Sequence, residues 1–376
     1  MIRSQIFVAF VATALWTAAG VRPEAQRAAD PCAVEGVSRI VAIGDVHGAY
    51  DNFVAILKAA GIIDGRNRWS GGPTYLVQTG DVVDRGADSR RALDLLRRLQ
   101  KDAPKARGRV LPLVGNHEAM RLLGEMRDTS AGEIAAFRTG QSAEIRDAAR
   151  AVFVDTKKRE AEAGGQTVVP GDLAAAFDAG TPLGLVEMLT AFSARGDYGK
   201  WIRENTAAAR INGILFLHGG VSERVAPLGC EGINAGVRTD LTTGLEQVRR
   251  APLESLAMSE DGPLWYRGLA REEDAAFAPE VEKILATVNA RAIVIGHTVS
   301  ETGRIRPRFD GRVVQIDTGM LTSVYKGGRP SALEIAGDRW TAIYEDGRVP
   351  LAGPAKAAPT PPSPPHPPSR ARAATR

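Results

Sequence analysis

Three times in the first 118 residues an apolar run of strand character ends at a glycine that is followed at once by a residue able to hold a cation. Ile40-Val41-Ala42-Ile43 leads into Gly44-Asp45-Val46-His47-Gly48. Tyr75-Leu76-Val77 leads into Gly80-Asp81-Val82-Val83-Asp84-Arg85-Gly86, and Val110-Leu111-Pro112-Leu113-Val114 into Gly115-Asn116-His117-Glu118. Helical spacing fills the intervals: Phe53, Ile56 and Leu57 in the first, Leu93, Leu96 and Leu99 in the second. Strand, helix, strand, helix, strand predicts right-handed crossovers and a parallel start to a sheet. The polar residues then gather outside the carboxyl ends of the strands, where open α/β sheets bind ligands. The fold class expected is α/β.

Two later strands repeat the pattern. Residues 211–217 end in His218-Gly219-Gly220, and Ala292-Ile293-Val294-Ile295 ends in Gly296-His297-Thr298. The chain has five histidines, and His47, His117, His218 and His297 all follow apolar strands beside glycine; His366 alone lies elsewhere. One histidine in such a place is more often structural than a ligand. Four at one topological edge, with Asp45, Asp81 and Asn116, point to a metal site instead. Carboxylate and amide oxygens mixed with imidazole, and an Asp81 able to bridge, suit a pair of transition-metal ions such as Mn, Fe or Zn.

Between these halves, residues 119–210 are rich in Ala, Glu and Arg and poor in β-branched runs. They read as a helical insertion with a break at Gly164-Gly165 and turns at Pro170-Gly171 and Thr181-Pro182. Because it enters just after one motif and leaves just before the next, it is expected to cap the metal edge. Residues 221–278 read as irregular, a helix is expected over 279–289, and short strands around 313–317, 332–335 and 340–344 are spaced like an antiparallel meander. The folded domain is bounded at 37–350, and residues 353–376 form a Pro-rich extended tail.

Arg3, the apolar run 6–19 and the small residues after it have the order of a cleaved export signal, taken as residues 1–25. The run is short for a membrane span, so no span is expected after cleavage. Export implies a periplasmic or secreted protein in an oxidising compartment, where Cys32 and Cys230 could pair or stay as two free thiols. The net charge of +4 is matched by Lys356, Arg370, Arg372 and Arg376 in the tail alone, leaving a near-neutral domain and no case for a nucleic-acid partner.

The ordered motifs Gly-Asp-Val-His-Gly, Gly-Asp-Val-Val-Asp-Arg-Gly, Gly-Asn-His-Glu, His-Gly-Gly and Gly-His-Thr resemble those of the calcineurin-like metallophosphoesterases. Arg85 with Glu118 resembles the phosphoprotein phosphatase branch. Pro263-Leu264-Trp265-Tyr266-Arg267 and Asp317-Thr318-Gly319-Met320 resemble its bacterial members, the Shewanella-like protein phosphatases. The resemblance implies a two-sheet sandwich flanked by helices. It also implies one ion on Asp45, His47 and Asp81, and a second on Asp81, Asn116, His218 and His297. By the same resemblance a metal-bridging hydroxide attacks phosphorus in line, Arg85 and Arg267 clamp phosphate oxygens, and His117 protonates the leaving group with Asp84 orienting its ring. Glu118 would support the ligands from behind.

A phosphorylated protein or peptide is the substrate expected, phosphotyrosine included, since the bacterial branch contains tyrosine-directed enzymes. Val114 in place of the usual Arg, Gly296-His297-Thr298 in place of Ala-His-Gln, and the lack of an Asn-Tyr-Cys motif set the chain apart from the eukaryotic phosphatases. The alternatives are a hydrolase of small phosphoesters or dinucleoside polyphosphates and, in another class, an inactive metal-dependent binding protein.

Overall fold

The structure, a computed structural model, describes residues 32–243 and 245–354. The export signal assigned to residues 1–25 and the tail from residue 355 lie outside the described residues.

Two six-stranded mixed sheets face each other, with helices on their outer faces. In the first, β2 (Ile40–Ile43), β3 (Tyr75–Gln78) and β4 (Arg109–Pro112) run parallel. An antiparallel meander of β10 (Ser331–Ala336), β11 (Arg339–Tyr344) and β12 (Gly347–Leu351) extends it from the β2 edge. The second has the order β1 (Ala33–Val34), β5 (Ala208–Ile211), β6 (Ile214–Leu217), β7 (Ala292–Ile295), β9 (Val313–Gln315), β8 (Arg306–Arg308).

Strand alternation builds two cores from each apolar run. Ile40 and Ala42 face the other sheet with Phe216, Val294, Val314 and Trp340, whereas Val41 and Ile43 face the helices. Burial on both faces explains why these strands read as unbroken apolar runs. On the outside, α1 (Tyr50–Ala59) buries Phe53, Val54, Ile56 and Leu57, and α2 (Ser89–Asp102) buries Leu93, Leu96 and Leu99.

Helices occupy most of the stretch after β4: α3 (Asn116–Leu122), α4 (Ala131–Ala135), α5 (Ser142–Ala163), α6 (Pro170–Gly180), α7 (Leu185–Phe192) and α8 (Asp197–Glu204). Gly164 ends α5, but Pro170-Gly171 opens a helix instead of forming a turn, because proline at the first helical position forfeits an N–H that would have no partner there. Two arginines of α2 pack on aromatic rings of the helical stretch. Arg90 stacks 5.0 Å from the Phe137 ring and Arg97 5.1 Å from the Tyr198 ring, and Tyr198 donates to Asp94 at 2.7 Å. These contacts dock the helical stretch on α2.

Four local expectations are corrected. The single strand expected over 211–217 is a hairpin, β5–β6, turning at Asn212-Gly213 with both residues at positive φ. The supposedly irregular region contains α9 (Gly229–Thr243), whose buried Cys230, Ile233, Val237 and Leu241 form one face, followed by the short α10 (Leu245–Arg250) and α11 (Gly268–Arg271). The helix expected from residue 279 begins earlier, as α12 (Asp274–Thr287), capped by Glu273. Strand β9 belongs not to the meander but to the second sheet, parallel to β7. Cys32 and Cys230 are joined as a disulfide, tying the start of the described chain to α9.

Candidate active site

The site lies where the carboxyl ends of both sheets meet. β2 delivers Asp45 and His47, β3 Asp81, the first turn of α3 Asn116 and His117, β6 His218, and β7 His297; all are at least nine-tenths buried. Backbone conformation aims these side chains: His47, Asp81, Asp84, Arg85 and His297 all have φ between 47° and 69°. Such non-glycine conformations cost about 1 kcal/mol or more each and persist where the surroundings over-determine them. Glu118 is the main restraint here. Its carboxylate accepts the N–H groups of Asp81 (2.7 Å), Val82 (2.8 Å), Val83 (3.3 Å) and Gly115 (2.9 Å). Glycine is required at two contacts: a Cβ on Gly80 would stand 2.5 Å from Gly115 Cα, and one on Gly296 would stand 2.5 Å from Asp45 Oδ1.

Two clusters share Asp81: His47, Asp81 and His117, and Asp81, His218 and His297. In the second, His218 Nε2 lies 3.3 Å from Asp81 Oδ2, 2.8 Å from Asn116 Oδ1 and 3.1 Å from His297 Nδ1. The far nitrogens of these rings face backbone carbonyls, His218 Nδ1 that of Thr79 at 2.8 Å and His297 Nε2 that of Trp265 at 3.1 Å. Carbonyls only accept, so each ring keeps its proton on that side and turns a lone pair inward. Four electron-pair donors therefore converge with no proton between them, an arrangement that fits a bound cation and little else.

In the first cluster His47 Nδ1 likewise faces Val83 O at 2.9 Å. Its Nε2 is 3.9 Å from Asp45 Oδ2, 3.6 Å from Asp81 Oδ2 and accepts from Arg85 Nη1 at 2.6 Å.

Electrostatics agree. Burial pushes His47 down to about 3 and His297 down to about 2, so both rings are neutral as ligands must be. Burial opposes charge on Asp81, but His218, His117 and His47 outweigh it and hold the carboxyl well below the usual range. Asp45 is pushed well up by burial, then by Asp317 and Asp81. Asp317, at the end of β9, is pushed up to about 6, chiefly by burial.

His117 differs from the other rings. Its Nδ1 pairs with Asp84 Oδ2 at 2.8 Å, and Asp81 and Asp84 raise its pKa against the effect of burial. Arg85 Nη1 also donates to the Tyr325 hydroxyl. Arg267 is half-buried and donates to His297 O at 3.1 Å and to Thr298 Oγ1 at 2.9 Å, so the second arginine reaches the rim of the site. The ten residues given metal or catalytic roles from the sequence thus border one site, with Glu118 behind them. Tyr325, Arg121 and Asp317 were not assigned roles there. Arg121 could have been, because it sits one helical turn beyond His117 on α3 and so shares its face; Tyr325 has no local signal.

Comparison with known proteins agrees with the geometry. The chain is 28% identical to Shewanella-like protein phosphatase 2 of Arabidopsis thaliana, over 82% of this chain and 78% of that protein. It is 26% identical to Shewanella-like protein phosphatase 1 of Plasmodium berghei, over 81% and 74%. The solved cold-active protein-tyrosine phosphatase of a psychrophilic Shewanella superposes with a TM-score of 0.65, at 26% identity, over 86% of this chain and 82% of that one. With the calcineurin-like phosphoesterase family model matching residues 38–301, the chain belongs to that family and is a phosphoesterase hydrolase, with Shewanella-like protein phosphatases among its relatives.

Proposed function

We propose that the protein is an exported, di-metal phosphomonoesterase that hydrolyses phosphoproteins or phosphopeptides, with phosphotyrosine among its substrates. The observation that carries the reading is the convergence of two His/Asp clusters on a shared Asp81, the first including the carboxylate-paired His117, with Arg85 beside them. Asp45, His47 and Asp81 would hold one ion and Asp81, Asn116, His218 and His297 the other, with Mn²⁺ the metal proposed. Bound divalent ions would supply charge neutralisation and an acidified water as nucleophile.

The protein's own groups do the rest. Arg85 and Arg267 present guanidinium donors to phosphate oxygens and neutralise charge developing there. His117, its Nδ1 proton held by Asp84, is oriented to give up the proton on Nε2 to the departing alkoxide or phenoxide. The Tyr325 ring, 6.3 Å from that of His47, and the nearby Trp265 make the rim aromatic, which favours an aryl leaving group. That the structurally similar Shewanella enzyme is a protein-tyrosine phosphatase supports the same substrate class. The N-terminal signal pattern and the Cys32–Cys230 bond support export.

The test is to strip the mature protein of metal, restore Mn²⁺, and assay phosphotyrosine peptides, phosphoserine peptides and dinucleoside tetraphosphate in parallel. Activity should vanish and return, with the phosphotyrosine peptide cleaved fastest. Faster cleavage of the dinucleotide would replace the protein-phosphatase reading with that of a small-phosphoester hydrolase. A metal-loaded protein with no activity would replace it with that of a binding protein.

A further inference from the structure

The loop that carries Asp84 and Arg85 is held from the helical insertion. Both residues have left-handed backbone, φ 69° and 67°, and both of their N–H groups are taken by residues beyond β4: Asp84 N donates to Glu133 Oε1 at 3.2 Å, and Arg85 N to Asp128 O at 2.9 Å. Ser130 Oγ bonds the next carbonyl, Gly86 O, at 3.1 Å and caps α4, which bears Glu133.

A buried cation completes the clamp. The Arg121 guanidinium donates to Asp84 Oδ1 and, at 2.9 Å, to Thr129 Oγ1, and it lies 3.3 Å from Glu133 Oε1. Thr129 Oγ1 in turn donates to Asp84 Oδ1 at 3.1 Å. Met188 and Phe192 of α7 cover the guanidinium, with Arg121 Nη1 3.3 Å from Met188 Sδ and Cζ 5.1 Å from the Phe192 ring. One Asp84 oxygen is thus fully engaged by Arg121 and Thr129, which leaves the other, Oδ2, aimed at His117 Nδ1. The arrangement is more than is needed to stabilise a loop: a buried charge cluster costs desolvation that an apolar packing would avoid. It does fix a carboxylate orientation, and a misdirected proton donor loses rate steeply.

We infer that Glu133, acting through Arg121, and Thr129, bonded to both Arg121 and Asp84, are positioning residues for proton delivery by His117, so that the insertion is a working part of the catalytic apparatus. This rests on the phosphatase reading above.

The experiment compares wild type with Glu133→Gln on phenyl phosphate, a poor leaving group that needs the proton, and p-nitrophenyl phosphate, a good one that needs it far less, at saturating Mn²⁺. Loss of proton delivery should lower kcat on phenyl phosphate by about tenfold or more, within the range general acids contribute, and by less than about threefold on p-nitrophenyl phosphate. KM should stay within about twofold. In metal-free protein the downfield imidazole N–H resonance of His117, assigned by its loss in His117→Asn, should shift or broaden in Glu133→Gln.

Equal losses on both substrates, or none, with an unchanged resonance would overturn the inference. If Glu133→Gln does not fold, Thr129→Val, which removes only a half-buried hydroxyl, carries the same comparison with a smaller expected fall of about threefold on phenyl phosphate alone. Wild type inactive toward both substrates with metal restored would overturn the phosphatase reading itself, and this inference with it.

Discussion

Replacing Glu118 with glutamine tests how the site is held open for cations without touching any group that would bind one. The carboxylate takes Asp81 N and Gly115 N on Oε2, and Val82 N and Val83 N on Oε1. Glutamine keeps one oxygen, so two of these bonds survive, while its amide nitrogen, itself a donor, faces the other two N–H groups. Two charge-assisted bonds lost at about 1.5 kcal/mol each give a destabilisation of about 3 kcal/mol. In a domain of this size that corresponds to a fall in Tm of roughly 4–5 °C. Asp81, freed from its left-handed restraint at φ 58°, should relax away from the rings it faces, and metal affinity should fall by about 10–100-fold, the range seen when groups behind metal ligands are changed. Thermal unfolding of metal-free protein and Mn²⁺ titration by calorimetry read the two effects separately. A Tm within about 1 °C of wild type together with unaltered affinity would refute the claim that Glu118 organises the Asp81 loop.

Four further outcomes are expected. Asp81→Asn should abolish binding of the ion pair and activity while the folded state is kept, as checked by metal analysis and circular dichroism; full activity would defeat the bridging role. His117→Asn should retain metal yet lose turnover more on poor leaving groups than on good ones, whereas equal losses would count against proton donation by this ring. Asp317, raised to about 6 beside Asp45, is protonated below that pH and ionised above it, so Mn²⁺ binding at pH 5.5 must displace a proton that is mostly absent at pH 7.5. Calorimetry in buffers of different ionisation enthalpy should therefore show more proton release and weaker binding at the lower pH. Finally, the non-reduced protein should titrate no thiols. Because Cys32 and Cys230 are 198 residues apart, Cys32→Ser with Cys230→Ser should cost about 2–5 kcal/mol in an unfolding measurement.

Much of the architecture was legible because its signals are local. The runs Ile40-Val41-Ala42-Ile43 and Ala292-Ile293-Val294-Ile295 are apolar on both faces, as strands buried between a second sheet and a layer of helices must be. The helix α1 announces itself by the spacing of Phe53, Ile56 and Leu57. What stayed hidden has equally physical causes. Gly232 and Gly236 depress the intrinsic helicity of α9, and it is burial of Ile233, Val237 and Leu241 that makes it a helix. Strand β9 looks like one more step of a C-terminal meander, yet it pairs with β7, because partner choice among short strands is made by non-local packing.

The same division runs through the site. The chain alone determined which chemistry was on offer: Asp45, His47, Asp81, Asn116, His218 and His297 each follow a strand that a parallel crossover or sheet pairing must end at one edge, so the ligand types and their common side follow from order and residue type. Tertiary structure decided how they are aimed and what keeps them so. The inward lone pairs of His218 and His297 depend on the carbonyls of Thr79 and Trp265, which are distant in sequence from the rings they orient. The pairing of Asp84 with His117 depends on Arg121, Thr129 and Glu133. A side chain's identity is written in one position, but its direction and proton affinity are set by whatever the fold packs against it, and those neighbours can be read only once the chain has closed.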